Sequence, residues 1–185
     1  MLTEKASQVV KRGYLSKEEA TFLQDKLEDI PKGTISVNIG AGFGTSSISV
    51  LEKRPDLTKT FYTIDIRNHP NPFGGLLNER NAFTNAELSF PNQIHGDSKE
   101  VAKTWANGKV GLLIIDGDHT REGARGDITL WEKHLTDGAV VFVHDYESIN
   151  WSEVTLAVQD LMINNPDYTL IDQVDSYIAF VYTKK

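Results

Sequence analysis

Apolar residues in this chain fall into two registers. From residue 34 onward, short runs that are apolar at nearly every position alternate with longer stretches in which apolar residues recur every three or four positions. The runs predict strands over residues 35–39, 60–66, 93–95, 110–115, 139–144, 168–172 and 177–182. The wider spacing predicts helices over 45–53, over 122–135 through Ala124, Ile128, Trp131 and Leu135, and over 151–164 through Val154, Val158 and Leu161. The last is capped by Asn150, with Glu153 three residues on. Two helices come first, over 3–12 and from Ser16. Glu19 completes a capping box with Ser16, and Ala20, Leu23, Leu27 and Ile30 form one stripe before Pro31 and Gly33 close the segment.

Runs such as 112–115 and 140–143 are apolar on every residue, as expected of strands covered by helices on both faces. The predicted fold is α/β: a doubly wound, Rossmann-like, seven-stranded, mostly parallel sheet with helices on both faces and a final pair of strands. Residues 1–33 read as an N-terminal helical extension and 34–185 as the ligand-binding domain. In such sheets ligands lie beyond the carboxyl ends of the strands, near the point where strand order reverses. The predicted strand ends are polar: Asn38 with Gly40, Asp65, Gly96 to Ser98, Asp116 to His119, and His144 to Tyr146.

The first strand runs into glycines at alternate positions, Gly40, Gly42 and Gly44, followed directly by a helix. Bare main chain there lets a ligand approach, and the helix start offers unpaired N–H groups. A plain strand-to-helix turn uses glycines in the same way, but the spacing suits a nucleotide-type cofactor. Adjacent strand tips stand about 4.8 Å apart, so carboxylates on neighbouring tips can converge on a hard cation.

Composition narrows the function. A chain of 185 residues, 39% hydrophobic and 24% charged, suits one globular domain. Its net charge of −7 and pI near 5.2 disfavour a nucleic-acid partner. The chain has no cysteine, which removes disulfides, thiolate metal sites and a cysteine nucleophile. The N-terminus lacks the apolar core of a signal peptide, and no stretch approaches the roughly 18 apolar residues of a membrane span. The expected location is the cytoplasm.

These residues resemble the class I S-adenosylmethionine-dependent methyltransferases. The glycines follow G-x-G-x-G, with Thr45 where a dehydrogenase-like pattern would place its third glycine. Asp116, Gly117, Asp118 and His119, then Asp127, Trp131, Leu135, Gly138, His144 and Asp145, resemble the small-molecule branch of catechol-type O-methyltransferases and macrolide-sugar methyltransferases, many of them magnesium-dependent. The resemblance spans roughly residues 34–183. It implies that S-adenosyl-L-methionine is held by Asn38, Gly40, Ala41, Gly42, Gly44, Asp65, Ile66, Gly96, Asp97, Ser98 and Asp116. Asp65 would take the ribose hydroxyls, and Asp97 and Ser98 the adenine. It places a divalent cation, magnesium or manganese, on Asp116, His144 and Asp145, and catalysis on Asp116 and His119.

Other readings stand beside these. Ser98 or Asp97 also suits a helix cap. His144 could tuck against the sheet while Asp145 caps a turn. His119 serves equally as general base, as an orienting group, or as packing at a helix start. Asp118 belongs with turn chemistry. Asn38 replaces the acid that in relatives holds the donor's amino group, His144 replaces an acidic ligand and favours manganese, iron or zinc over magnesium, and Arg121 stands where relatives carry Tyr. Residues 67–75 are too punctuated for a regular element and form either a lid or a surface connection. The acceptor is expected to be a small molecule, its site completed by the N-terminal helices or by a second subunit of a homo-oligomer. An NAD-dependent oxidoreductase and a non-catalytic cofactor-binding scaffold are the rival functions.

Overall fold

The structure, a computed structural model, describes residues 2–11, 13–67 and 76–185. Among these residues the chain forms α1 (Glu4–Val10), α2 (Lys17–Asp25), β1 (Ile35–Ile39), α3 (Thr45–Lys53), β2 (Phe61–Asp65), α4 (Leu76–Asn85), β3 (Asn92–His95), α5 (Ser98–Thr104), β4 (Val110–Ile115), α6 (Arg121–Glu132), β5 (Leu135–Val143), α7 (Ser152–Val158), β6 (Tyr168–Val174) and β7 (Tyr177–Tyr182). The strands make one seven-stranded sheet in the order β3-β2-β1-β4-β5-β7-β6. The first five pair in parallel, and β7 runs antiparallel to both β5 and β6. Strand order reverses between β1 and β4, so the crevice of a doubly wound sheet opens above their carboxyl ends.

The all-apolar strands follow from a core on each face. Successive side chains alternate sides. Leu113 and Ile115 of β4 join Val141 and Val143 of β5 in a cluster with Ala102, Ile128 and Trp131, on the side of α5, α6 and α7. Leu112, Ile114, Val140 and Phe142 join a second cluster with Ile48, Leu51 and Phe83, on the side of α3 and α4. Trp131 is fully buried, and its truncation to Ala would cost about 3–5 kcal/mol. The N-terminal segment belongs to the second core, to which α1 contributes Ala6 and Val10, α2 Leu23, and the 3-10 turn Leu27–Asp29 contributes Leu27. Among the described residues no helix is long and apolar enough to cross a membrane.

The predicted capping box forms: Ser16 Oγ accepts from the Glu19 N–H at 3.0 Å, and Glu19 Oε2 accepts from the Ser16 N–H at 2.8 Å. Several expectations need correction. Leu135 begins β5 rather than ending α6, because Lys133 and His134 close the helix and Leu135 pairs with Val110 of β4. Asn150 does not cap α7. Its N-cap is Trp151, without a side-chain cap, and Glu153 instead accepts from the Arg121 N–H at 2.9 Å. The predicted 151–164 helix is α7 followed by a π-helical turn, Gln159–Ile163. Helix α1 ends at Val10, and the expected terminus at Arg12 lies outside the described residues, as does most of the punctuated 67–75 segment. Helix α4 was not anticipated.

Candidate active site

The tip of β1 abuts the tip of β4. Gly40 has φ +78°, and a Cβ there would lie 1.8 Å from the Asp116 carbonyl oxygen, so this position admits only glycine. Gly42 also has positive φ, and the space where its side chain would stand is open. The loop is tied to the second strand: Asp65 Oδ2 accepts from the Gly42 N–H at 3.0 Å, and Oδ1 from the Arg67 N–H at 2.6 Å. Gly44, left-handed, opens α3, whose first amides face the loop. Ala41 is buried beneath it. Asn38 is buried too; its amide nitrogen donates to Ser47 Oγ at 2.8 Å, and among the described residues its Oδ1 has no partner.

Beyond Asp65 a shallow crevice is lined by Ile66, Arg67, His95 and Gly96. Ile66 is 56% exposed, its carbonyl 2.7 Å from His95 Nε2. At the next strand tip Asp97 is the N-cap of α5, accepting from the Lys99 N–H at 2.8 Å. Ser98 turns inward and donates to the buried Asp127. Asp97 thus caps α5, and the Ser98 hydroxyl ties α5 to α6. Bare backbone at Gly42, a carboxylate at Asp65 and an open crevice next to it fit a nucleoside carrying an amino-acid tail.

Beside the loop, the tips of β4 and β5 carry a polar cluster. One ligand atom each from Asp116, His144 and Asp145 lies within 4.8 Å of the others. His144 Nδ1 stands 3.1 Å from Asp116 Oδ1 and 3.4 Å from Asp145 Oδ2. His119 Nε2 lies 2.9 Å from Asp145 Oδ2 and 3.9 Å from Asp116 Oδ1, and its ring stacks on Trp151 with centroids 4.5 Å apart. Two carboxylates and one imidazole converging from adjacent strand tips fit a divalent cation, with a nitrogen donor suited to manganese, iron or zinc. Asp118 points elsewhere: it accepts from the Thr120 N–H and lies 3.8 Å from Lys99 Nζ.

The electrostatics follow from crowding of opposite charges. Burial alone would depress the His144 imidazole, but Asp116 beside it, together with Asp145 and Glu19, raises it well above the ordinary histidine range. Burial would raise Asp145, yet its bonds to His119 and His144 hold it well below the usual carboxylate range. His119 is raised, chiefly by its hydrogen bond to Asp145 against the opposing effect of burial.

Sequence reasoning missed three contributors. Glu19, read only as a capping residue, reaches the cluster, with Oε1 3.5 Å from His144 Nε2. Trp151 covers His119 from the α7 start. The buried ion pair between Arg67 and Glu79 holds the segment that carries Asp65 against α4. A Ser/Glu capping pair gives no hint of what else the acid touches, and Trp151 read only as a helix start.

Residues 37–146, which contain the glycine loop, Asp65 and the cluster, match the protein family described as Methyltransferase domain. The chain belongs to that family, and the resemblance drawn from its strand-end motifs to the class I S-adenosylmethionine-dependent methyltransferases stands with it. Solved structures share the fold. A protein assigned as a caffeoyl-CoA O-methyltransferase from Staphylococcus aureus aligns with a TM-score of 0.76 at 13% identity, over 98% of this chain and 93% of that one. The S-adenosylhomocysteine-bound Podospora anserina methyltransferase PaMTH1 gives 0.75 at 13%, over 100% and 89%. The O-methyltransferase NovP gives 0.71 at 17%, over 90% and 80%. No curated protein matches the sequence.

Proposed function

We propose that this protein is a cytoplasmic enzyme that transfers the methyl group of S-adenosyl-L-methionine to a hydroxyl oxygen of a small molecule, assisted by a divalent cation. The observation that carries the reading is the juxtaposition of the Gly40–Asp65 cradle with the Asp116, His144 and Asp145 cluster across the abutting tips of β1 and β4. In it, Gly40, Ala41, Gly42 and Gly44 present main chain to the amino-acid tail, and the side-chain Oδ1 of Asn38 is the acceptor nearby. Asp65 accepts from the ribose hydroxyls, and Ile66, Gly96, Asp97 and Ser98 border the adenine.

Methyl transfer breaks the donor's C–S bond and forms an O–C bond, while the acceptor hydroxyl loses its proton. A bound cation, held by Asp116, His144 and Asp145, would lower that hydroxyl's pKa. The protein's part is alignment: His119, fixed between Asp145 and Trp151, stands at the edge of the cluster where it can orient the hydroxyl or take its proton. Helices α1 and α2, packed into the second core, bring Glu19 beside His144 and border the acceptor side of the cluster; completion of that side by a second subunit of a homo-oligomer is the alternative.

Calorimetry with S-adenosylmethionine and with NAD, each with and without magnesium or manganese, tests this reading. The methyl donor is expected to bind and NAD not to bind; preference for NAD overturns the enzyme class. If Asp116→Ala and Asp145→Ala leave cation affinity and methylation of a hydroxylated acceptor unchanged, the cation falls while the fold and donor site remain.

A further inference from the structure

We propose that Glu19, on the N-terminal helix α2, is a positioning residue that sets the tautomer of His144, leaving its Nδ1 lone pair free for the cation; this rests on the cation reading above. Glu19 is 3% exposed, and three donors fix its carboxylate. The Ser16 N–H reaches Oε2 at 2.8 Å, and the Ser176 N–H and Oγ–H reach Oε1 at 3.0 and 2.7 Å. The same Oε1 lies 3.5 Å from His144 Nε2. His144 is 6% exposed, its ring packs on Tyr177 with centroids 4.7 Å apart, and its Nε2 has no hydrogen-bond partner among the described residues.

A capping box needs only an acceptor for the Ser16 N–H, which a glutamate turned to solvent supplies equally well. Here the acid is instead buried, held by Ser16 and Ser176 with Oε1 turned to the His144 ring. Nδ1 lies 3.1 Å from Asp116 Oδ1 and 3.4 Å from Asp145 Oδ2, so in the absence of a cation those carboxylates hold a proton on that nitrogen. With the two carboxylates on a cation, Glu19 is the one left facing the ring; it would keep the proton on Nε2 and leave the Nδ1 lone pair toward the point where the oxygens converge. A ligating histidine whose other N–H meets a carboxylate is the arrangement that fixes ring orientation and raises ligand basicity. The N-terminal extension thereby becomes part of the site.

The test is manganese binding, measured by calorimetry and by electron paramagnetic resonance, on the full chain and on Glu19→Gln, Ser16→Ala and His144→Asn. Glu19→Gln is expected to weaken binding about 10–100-fold. Ser16→Ala, which breaks the same capping box without facing His144, is expected to leave it unchanged. Equal losses in both variants, or affinity kept within twofold in folded Glu19→Gln, overturn the proposal while the cation reading stands. Absence of manganese binding to the unmodified chain overturns both. Should Glu19→Gln not fold, long-range proton–nitrogen spectra of the zinc-loaded unmodified protein decide the matter. The His144 signals, identified by their loss in His144→Asn, are expected in the Nε2–H form; the Nδ1–H form overturns the proposal.

Discussion

Exchanging Asp127 for asparagine isolates the cost of one buried charge. Asp127 lies on α6, is 1% exposed, and accepts the hydrogen bond of the Ser98 hydroxyl at the start of α5. Burial pushes its carboxyl up from the ordinary 3.8 to about 6, despite the Ser98 bond and Lys99. A shift of that size corresponds to about 3 kcal/mol between the charged and neutral forms. Because the folded value is the higher one, the cost is absent while both states are protonated. It grows as pH rises past the unfolded value and is complete above about 6. Roughly 2 kcal/mol of it falls between about pH 4.5 and 7.5. Asparagine keeps an acceptor for Ser98 and removes the charge; the desolvation of its amide adds an offset that does not depend on pH. Carboxylates such as Glu19, which its partners pull down to about 2 against the effect of burial, change stability in the opposite sense in both proteins and cancel in the difference. Urea denaturation of both proteins at the two pH values should show Asp127→Asn gaining about 2 kcal/mol on the parent as pH rises. A difference independent of pH would mean that this carboxyl titrates as in an unfolded chain, and the burial reasoning would be wrong.

Other expectations follow from the same geometry. Gly40→Ala adds a Cβ 1.8 Å from the Asp116 carbonyl oxygen at φ +78°; beyond about 1–2 kcal/mol for the left-handed backbone, the β1 and β4 tips must part. A lower melting temperature and loss of S-adenosylhomocysteine binding are expected, and an unchanged thermogram would refute the contact. Asp65→Asn leaves one oxygen for the Gly42 N–H but no charge for the ribose, so affinity for S-adenosylhomocysteine should fall about tenfold, a loss of about 1.4 kcal/mol. Equal affinity by calorimetry would move the sugar elsewhere. Since its neighbouring carboxylates hold the His144 imidazole protonated beyond its ordinary range, a cation must displace that proton. Manganese affinity should therefore rise with pH, by up to about tenfold per pH unit; an affinity constant from pH 6 to 8 would exclude His144 as a ligand.

Legibility of the sequence tracked how many neighbours a segment needs in order to take its form. Strands β1, β4 and β7 and helix α3 carry their own signals, apolar runs or a glycine-bounded stretch, and they fall where those signals place them. Helix α4 has none: Leu77 is 71% exposed, while Glu79 is fully buried because Arg67 lies against it. Leu135 stood at helical distance from Trp131, and only pairing with Val110 makes it a strand residue. The strand-tip residues were legible because parallel sheets bring consecutive tips together. Glu19 was not, because its approach to His144 depends on how α2 lies across the second core.

The bonds from Glu19 to Ser176 join positions 157 residues apart, and Ser176 sits in the turn just before β7, which slots between β5 and β6. The glycine loop and the Asp65 tip are therefore translated long before the residue that fixes the Glu19 carboxylate. The imidazole at position 144 gets its acidic backstop only after both ends of the polypeptide have met. Molecules clipped before Ser176 would thus lack the bonds that hold Glu19 beside His144.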